Sequence, residues 1–332
     1  MSFTSTPNWV PSWRGTTLSP FYCEDSTDSI PVRVLDAVRI QDEQQVMLKM
    51  IVPSKKYDEG TEELELLQHF LTPPLRDHPS NHIVPYIDSF PIPTVETGQF
   101  LVMPLLGSYN DIPFYNIAEI HNLLQQSFDG LVFMHDNEIA HRDIASLNIM
   151  MDAHPLYDEP FHPFYQTHSL DARRLLAPKY RRSEKAIQYY FIDLGYAKWF
   201  RNRNSPRLAT GRNAREIAPE QRGGSPYNPF IADVYQLGKM IEQDLVLNFA
   251  CLNFLAPLVH DMTQRSPDDR PKLKDARTRM NTAFLGVSGW SYRWPIIPPN
   301  TTFNKQWKYV VAGLVAEVGF WMRRLLRLFR KK

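Results

Sequence analysis

The sequence predicts an α+β protein with a small, mainly β N-terminal part and a larger, mainly α C-terminal part. Between residues 32 and 106, short runs of β-branched and aromatic residues surround one segment of helical periodicity. Between residues 107 and 285, apolar residues recur at helical spacing over several long segments. A chain of 332 residues is long enough to bury the large core that this arrangement needs.

The N-terminal part is expected to contain several strands and one helix. Residues 1–31 are predicted to form an irregular arm, because the first 20 of them are rich in Pro, Ser and Thr. Strand-like runs follow at 32–40, 45–52, 82–90 and 100–107. The last run is expected to end at Pro104, since proline cannot donate a ladder hydrogen bond. Residues 61–71 (TEELELLQHFL) predict an amphipathic helix with Thr61 as its N-cap.

The C-terminal part is expected to be built from helices around one further strand. Helices are predicted at 117–136, from 231 to about 247, at 252–262 and at about 272–285, and a strand at 189–195. A polar, Pro- and His-rich insertion spans about 153–188, and its histidines are interpreted as surface residues because no acidic partner accompanies them. Residues 286–304 are interpreted as a Pro/Gly/aromatic linker, and 305–332 as an apolar, then basic, helix.

Composition excludes few classes of function. The formal net charge is +1, so no global charge favours nucleic acid as a partner. The two cysteines, Cys23 and Cys251, lie far apart in sequence, and no Cys/His spacing resembles a zinc site. The first 15 residues have neither a basic nor an apolar signal region. We therefore expect a reduced, cytoplasmic protein.

The chemistry centres on the segment 141–148 (HRDIASLN), called the 141–148 loop below. Asp143 and Asn148 are five residues apart, directly before an apolar run, so one loop can hold a carboxylate and an amide in one cleft. Lys49 is alone inside an apolar strand, and burying an unpaired ammonium costs several kcal/mol. Asp193 ends another strand, a usual place for a ligand-facing group. Such a set is typical of phosphoryl transfer.

The 141–148 loop resembles the protein-kinase catalytic loop H-R-D-L-x-x-x-N. By this resemblance Asp143 is the catalytic base and Asn148 a second Mg²⁺ ligand. Residues 193–195 (DLG) resemble D-F-G, which makes Asp193 the principal Mg²⁺ ligand. Residues 46–49 (VMLK) resemble V-A-I-K, which makes Lys49 the residue that contacts the α- and β-phosphates of ATP.

Further positions follow from the same resemblance. Glu63 is the expected partner of Lys49, with Glu62 and Glu65 as alternatives. Residues 218–220 resemble A-P-E, and in the family this Glu pairs with an Arg near the end of the lobe. The implied structural residues are Glu220, its partner Arg270, and Asp233, which braces the catalytic loop. The implied adenine-side residues are the gatekeeper Met103 and the hinge Pro104 to Leu106.

Together these motifs resemble the two-lobed protein-kinase fold over about residues 32–285, with an N-lobe at 32–106 and a C-lobe at 107–285. Strings such as FLVMPLL, NIMMD and YYFIDLG also resemble the kinase-like proteins of mushroom-forming fungi. The resemblance implies transfer of phosphate to Ser/Thr hydroxyls of a protein substrate, with ATP and Mg²⁺ as cofactors.

Two departures from the family pattern favour an alternative, a pseudokinase scaffold or binding module. No glycine occurs between Gly15 and Gly60, and residues 23–30 (CEDSTDSI), where the Gly-rich loop is expected, carry three acids that would repel phosphate. Ala145 and Leu147 stand where kinases place a cation in the loop. An Arg of the basic segment after Asp193 could replace it. Kinase-fold enzymes acting on small molecules are a third alternative.

The C-terminal segment permits three interpretations. Residues 310–322 are apolar apart from Glu317, and six basic residues follow among apolar ones. This pattern suits an interfacial helix on an anionic membrane, formed by residues 306–332. The alternatives are a helix packed on the C-lobe and a helix that binds a partner.

Overall fold

A computed structural model describes residues 33–54, 60–93, 95–202, 204–297 and 303–329. The predicted arm at 1–31 and the stretch 23–30 lie outside these residues. The described chain is a mixed α+β structure, so the predicted class is confirmed. Its small antiparallel sheet and its several helices are compatible with a two-lobed fold.

A four-stranded antiparallel sheet forms the N-terminal part, in the order β1-β2-β4-β3. Its strands are β1 (Val34–Arg39), β2 (Gln44–Ile51), β3 (Asp88–Pro91) and β4 (Gln99–Pro104). β4 ends at Pro104, as predicted. The register places Lys49 opposite Val34 on one side and Leu101 on the other, so Lys49 lies on β2, one of the two inner strands.

The expected strand at 82–90 is only partly present, because β3 covers Asp88–Pro91 alone. Residues 82–84 leave the sheet and pair with Phe191 instead. The Phe191 amide donates to the His82 carbonyl at 2.7 Å, and the Val84 amide donates to the Phe191 carbonyl at 2.9 Å. Sequence periodicity could not distinguish this pairing from membership of the sheet, since both extend the backbone.

The first helix, α1 (Glu63–Leu71), packs Leu66, Leu67 and Phe70 into the core. The prediction of Thr61 as its N-cap is wrong, because Glu62 occupies that position and makes no side-chain capping bond. The Glu62 carboxylate instead accepts a hydrogen bond from the Trp199 amide at 2.9 Å. A tertiary contact therefore holds the start of this helix.

The C-terminal part is arranged around the long buried helix α2 (Ile117–Asp136), which has the predicted bounds. The other helices are α3 (Pro229–Ile241), α4 (Ala256–Met262), α5 (Leu273–Leu285), α6 (Gly289–Arg293) and α7 (Phe303–Phe329). The short strands are β5 (Gly107–Ser108), β6 (Ile139–Ala140), β7 (Ile149–Met151), β8 (Tyr189–Phe191) and β9 (Lys198–Trp199). One continuous apolar core joins α1, α2, β7, β8 and the helices α3 to α5.

The insertion at about 153–188 is folded against the body although it has little regular structure. It buries Leu156, Phe161 and Ile187. Arg182 is buried as well and donates to the carbonyls of Tyr109, at 2.6 Å, and Ile112. Although the insertion is polar in composition, these buried residues attach it to the rest of the protein.

The segment 286–304, predicted as a linker, contains helix α6 within its described residues. Trp290 and Trp294 stack there with ring centroids 4.7 Å apart. The final helix α7 follows as one element, in agreement with the predicted helix. None of the described helices is both long enough and apolar enough to cross a bilayer.

Candidate active site

The 141–148 loop is held by a buried carboxylate. Asp233, on α3, accepts hydrogen bonds from the amides of His141, at 2.9 Å, and Arg142, at 2.8 Å. The His135 ring lies 2.9 Å from the same carboxylate. Asp233 is completely buried. Since a buried carboxylate is costly without partners, these contacts fix the loop on α3.

Gln236 is a second brace, which the sequence analysis missed. Its side-chain oxygen accepts from the Ile144 amide at 2.9 Å, and its side-chain NH₂ donates to the Arg142 carbonyl at 3.0 Å. The signal was present, because Gln236 lies three residues after Asp233 and so faces the same side of the helix.

Within the loop, Asn148 orients Asp143. The Asn148 side-chain NH₂ donates to the Asp143 carbonyl at 2.7 Å and to its Oδ2 at 2.8 Å. The backbone amide of Arg215 donates to Asp143 Oδ1 at 2.7 Å, and Arg215 Nε lies 3.9 Å from Oδ2. A cation from the basic segment thus stands beside Asp143. The contact joins residues 72 positions apart, so no local pattern predicts it.

Hydrogen bonds connect this loop to Ile192, the residue between β8 and Asp193. The Ile192 amide donates to the Asn148 carbonyl at 3.0 Å. The His141 Nε2–H donates to the Ile192 carbonyl at 3.1 Å, while Nδ1 accepts from the Asp143 amide at 3.3 Å. Asp193 itself has a φ of 60°, a left-handed conformation that non-glycine residues rarely adopt. Such conformations concentrate at functional sites.

Lys49 lies between two carboxylates. Its Nζ is 2.6 Å from Glu63 Oε1 and 2.7 Å from Asp193 Oδ1. Burial acts to lower the pKa of Lys49, but the charges of Glu63 and Asp193 outweigh it, so the pKa is raised. Burial likewise acts to raise the pKa of Asp193, but the neighbouring Lys49 holds it below its usual range. Lys49 and Asp193 are therefore both charged at neutral pH.

The two alternative partners of Lys49 have other contacts. Glu62 accepts from the Trp199 amide, and Glu65 forms an ion pair with Arg201 at the surface. The structure thus places Glu63, and neither neighbour, against Lys49.

The expected adenine-side residues lie at the end of β4. Met103 and Leu106 are buried, and Pro104 is half-buried. The Leu106 carbonyl accepts a hydrogen bond from the Gln166 side chain at 2.8 Å, and the Phe161 carbonyl accepts from the Gln45 side chain at 2.9 Å. The insertion therefore packs against this edge.

The expected structural pair is formed. Arg270 holds Glu220 with two hydrogen bonds, Nη1 to Oε1 at 2.6 Å and Nη2 to Oε2 at 2.7 Å. Arg270 also donates to the Gln264 carbonyl at 2.8 Å, which satisfies its buried guanidinium. Such a bidentate pair anchors residues 218–220 to the start of α5.

Two side chains have oxygen atoms suited to Mg²⁺. The hydrogen bonds from Asn148 to Asp143 are donated by its NH₂ group, which leaves the amide oxygen as a ligand. Asp193 pairs with Lys49 through Oδ1 and is one-third exposed. In the described part of the chain, no cluster of three or more His, Cys, Asp or Glu could hold a metal ion alone. Magnesium bound by one or two side chains plus phosphate oxygens fits this donor set.

Comparison with known proteins finds a short similarity. No family model matches the sequence. A stretch of 52 residues is 46% identical to the serine/threonine-protein kinase pakH of Dictyostelium discoideum, and it covers 14% of this chain and 10% of that protein. This chain therefore matches about a tenth of the length of that curated relative. The short similarity hints at a relation to Ser/Thr protein kinases.

Proposed function

We propose that this chain is a two-lobed protein kinase that transfers the γ-phosphoryl group of ATP to Ser or Thr hydroxyls of a protein substrate. One observation carries the proposal, the Glu63–Lys49–Asp193 ion-pair chain joined through Ile192 to the Asp143–Asn148 pair. The short similarity to a Ser/Thr kinase supports the same class. The narrower resemblance to fungal kinase-like proteins stays a prediction.

On the nucleotide side, Lys49 positions the α- and β-phosphates while Glu63 keeps its ammonium in place. Asp193 and Asn148 would hold Mg²⁺, which would neutralise charge on the phosphates. Met103, Pro104 and Leu106 line the adenine edge. Because Glu63 is buried and Lys49 nearly so, these charges act in a medium of low polarity, where positioned charges are most effective.

On the acceptor side, Asp143 orients the substrate hydroxyl and accepts its proton late in the transfer. Asn148 and the Arg215 amide fix the carboxylate for this role. The Arg215 guanidinium provides a positive charge beside Asp143, where Ala145 and Leu147 of the 141–148 loop carry none. Positioning and charge neutralisation contribute most of the rate in such reactions.

A pseudokinase scaffold is the second candidate. Residues 23–30 contain no glycine, and both carboxylate oxygens of Asp143 already accept hydrogen bonds within the chain. A scaffold would keep the fold and bind a partner with little or no phosphate transfer.

Phosphate transfer from labelled MgATP to a generic protein substrate tests the proposal. We expect incorporation with the wild type and its loss in Asp143→Asn and in Asp193→Asn, while Asp36→Asn, which changes an exposed carboxylate on β1, behaves like the wild type. Equal incorporation by the wild type and Asp143→Asn would exclude the catalytic assignment. No incorporation, with no MgATP-induced rise in Tm, would favour the scaffold.

A further inference from the structure

Helix α7 exposes a continuous apolar stripe. Eight large apolar residues, each between 41% and 68% exposed, recur at helical spacing: Trp307, Val310, Val311, Leu314, Val315, Val318, Trp321 and Met322. Spacings of three and four residues place them along one side of the helix. Exposed apolar patches of this extent mark surfaces that bind a membrane or a protein.

The protein body contacts a different side of α7. Gly313 packs against Trp294 so closely that an added Cβ would lie 2.9 Å from the indole ring. Glu317 is buried beside Arg293, whose Nε donates to it at 2.9 Å. The helix therefore turns small and polar positions inward and apolar positions outward, the reverse of an ordinary surface helix.

Basic residues flank the stripe. A groove of about 890 Å³ between the insertion and α7 is lined by Arg181 and Lys308 together with Trp307 and Val315. Lys179 also lines it but pairs with Asp158, and Glu184 is the acid in the lining. In the sequence, Arg323, Arg324 and Arg327 follow in the last turns of α7.

We propose that α7 lies in the interface of an anionic membrane, with its apolar stripe among the acyl chains and the flanking cations at the lipid headgroups. The positive charge favours an anionic lipid surface over a neutral surface or an apolar partner protein. Because no described helix is suited to crossing a bilayer, the contact is interfacial.

Co-sedimentation of the full-length chain with vesicles tests this proposal. We expect the wild type to pellet with phosphatidylcholine vesicles that contain phosphatidylserine, and at least tenfold less with pure phosphatidylcholine. The double variant Val315→Asp/Val318→Asp is expected to lose at least tenfold in binding. The control Leu247→Asp/Leu285→Asp makes the same changes at residues that are 73% and 85% exposed elsewhere, and it should bind like the wild type.

Three results would overturn the proposal. The wild type could remain in the supernatant with both vesicle types. The stripe variant could pellet as strongly as the wild type. A dimer seen without vesicles by sedimentation velocity, and abolished by the stripe variant, would show that a second copy covers the stripe instead.

A second inference concerns a basic cavity beside Asp143. The cavity, about 580 Å³, is lined by Arg212, Arg215, Arg222, Lys239, Tyr235 and Glu216, among others. Lys239 pairs with Glu242, and Arg215 lies beside Asp143. Among the described residues, Arg212 and Arg222 have no carboxylate partner. The cavity therefore has unneutralised positive charge close to the proposed acceptor position.

We infer that this cavity binds an acidic side chain of the protein substrate, a carboxylate or a phosphate, near the acceptor hydroxyl. The inference rests on the proposed function. Guanidinium groups pair well with both anions, because their planar N–H groups match carboxylate and phosphate oxygens.

Peptides with one acceptor Ser, flanked by Asp, phosphoserine, Ala or Lys, test this inference. We expect kcat/KM to be at least tenfold higher for the acidic peptides, and the preference to disappear in Arg212→Ala/Arg222→Ala. It should persist in the control Arg173→Ala/Arg265→Ala, which removes two exposed arginines outside the cavity. Transfer without charge preference would overturn the inference while leaving the proposed function intact.

If no phosphate transfer occurs, fluorescence anisotropy with labelled peptides still tests whether the cavity binds acidic side chains. Tighter binding of the acidic peptides than of the Ala peptide, lost in the Arg212→Ala/Arg222→Ala variant, would support the cavity although the proposed function fails. Equal binding of acidic and neutral peptides would overturn the cavity.

Discussion

The two sides of the candidate site differ in how their charges are compensated. On the nucleotide side, Lys49 lies within 2.7 Å of the carboxylates of Glu63 and Asp193. On the acceptor side, Arg212 and Arg222 have no carboxylate partner in the described chain, and Arg215 approaches Asp143 only to 3.9 Å. On the nucleotide side the cation is paired with two carboxylates and mostly buried, whereas the acceptor side is open and positive.

This difference indicates that the nucleotide side is fixed before its ligand binds, whereas the acceptor side has charges that only a bound substrate can pair. The buried ion pairs hold Lys49 and Asp193 in place before any nucleotide binds, so little reorganisation is needed. On the acceptor side, Arg212 and Arg222 can pair with negative charge on a bound substrate. Substitutions on the two sides should therefore change activity and stability by different amounts.

The largest effect is expected from Asp193→Asn, which breaks the nucleotide side. The change removes the proposed Mg²⁺ ligand and one of the two carboxylates beside Lys49. We expect kcat to fall by about 10³-fold or more, since charge neutralisation supplies most of the catalysis in phosphoryl transfer. Steady-state phosphorylation of a generic substrate measures it, and a loss below tenfold would contradict the role of Asp193.

Asp233→Ala tests the brace beneath both sides. It leaves the amides of His141 and Arg142 without their buried acceptor. We expect a loss of about 3–5 kcal/mol in the free energy of unfolding, the usual cost of removing one partner from a buried charged network. Urea denaturation measures it. The exposed ion pair between Arg279 and Asp261 provides the control, since Asp261→Ala should cost less than about 1 kcal/mol in the free energy of unfolding.

Arg215→Ala tests the role of the cation on the acceptor side. We expect kcat to fall about tenfold to a hundredfold with the KM for ATP unchanged, less than for a buried donor because the side chain is 46% exposed. Arg215→Lys should recover part of the rate because it keeps the charge. A rise in the KM for ATP at constant kcat would instead place Arg215 on the nucleotide side.

A smaller effect is expected in the pH dependence of stability. The pKa of Asp193 is lowered by Lys49, so this pair stabilises the fold above the unfolded pKa of Asp and stops doing so as pH falls through the lowered value. In Lys49→Met this contribution is absent. The stability difference between wild type and variant should therefore shrink by about 1 kcal/mol as the pH falls from about 6 to 3. Thermal melts over this range measure it, and a constant difference would contradict the coupling.

Much of the fold could be predicted from periodicity. The 20 residues of α2 repeat their apolar positions over five turns, so the helix bounds were readable, and Pro104 ended β4 for a covalent reason. Residues 82–84 and the N-cap of α1 were not readable in this way. Contacts with Phe191 and Trp199, more than 100 residues away, determine them.

In the candidate site, too, some residues could be predicted from local sequence and others could not. Motif spacing indicated Lys49, Asp143, Asn148 and Asp193, and the structure connects them through ion pairs and backbone hydrogen bonds. An Arg of the segment after Asp193 was anticipated, but the sequence could not identify Arg215 as that residue, because its contact with Asp143 depends on how the segment folds back. Residues that act through long-range folding leave no local signal.

The most direct test of the central claim is phosphate transfer by the wild type and by Asp143→Asn, with both proteins shown to have the same Tm. The account predicts MgATP-dependent phosphate on Ser or Thr of a protein substrate, reduced at least about 10³-fold in the variant. Equal transfer by the two proteins would contradict it, as would a folded wild type that binds MgATP and transfers no phosphate to any protein offered.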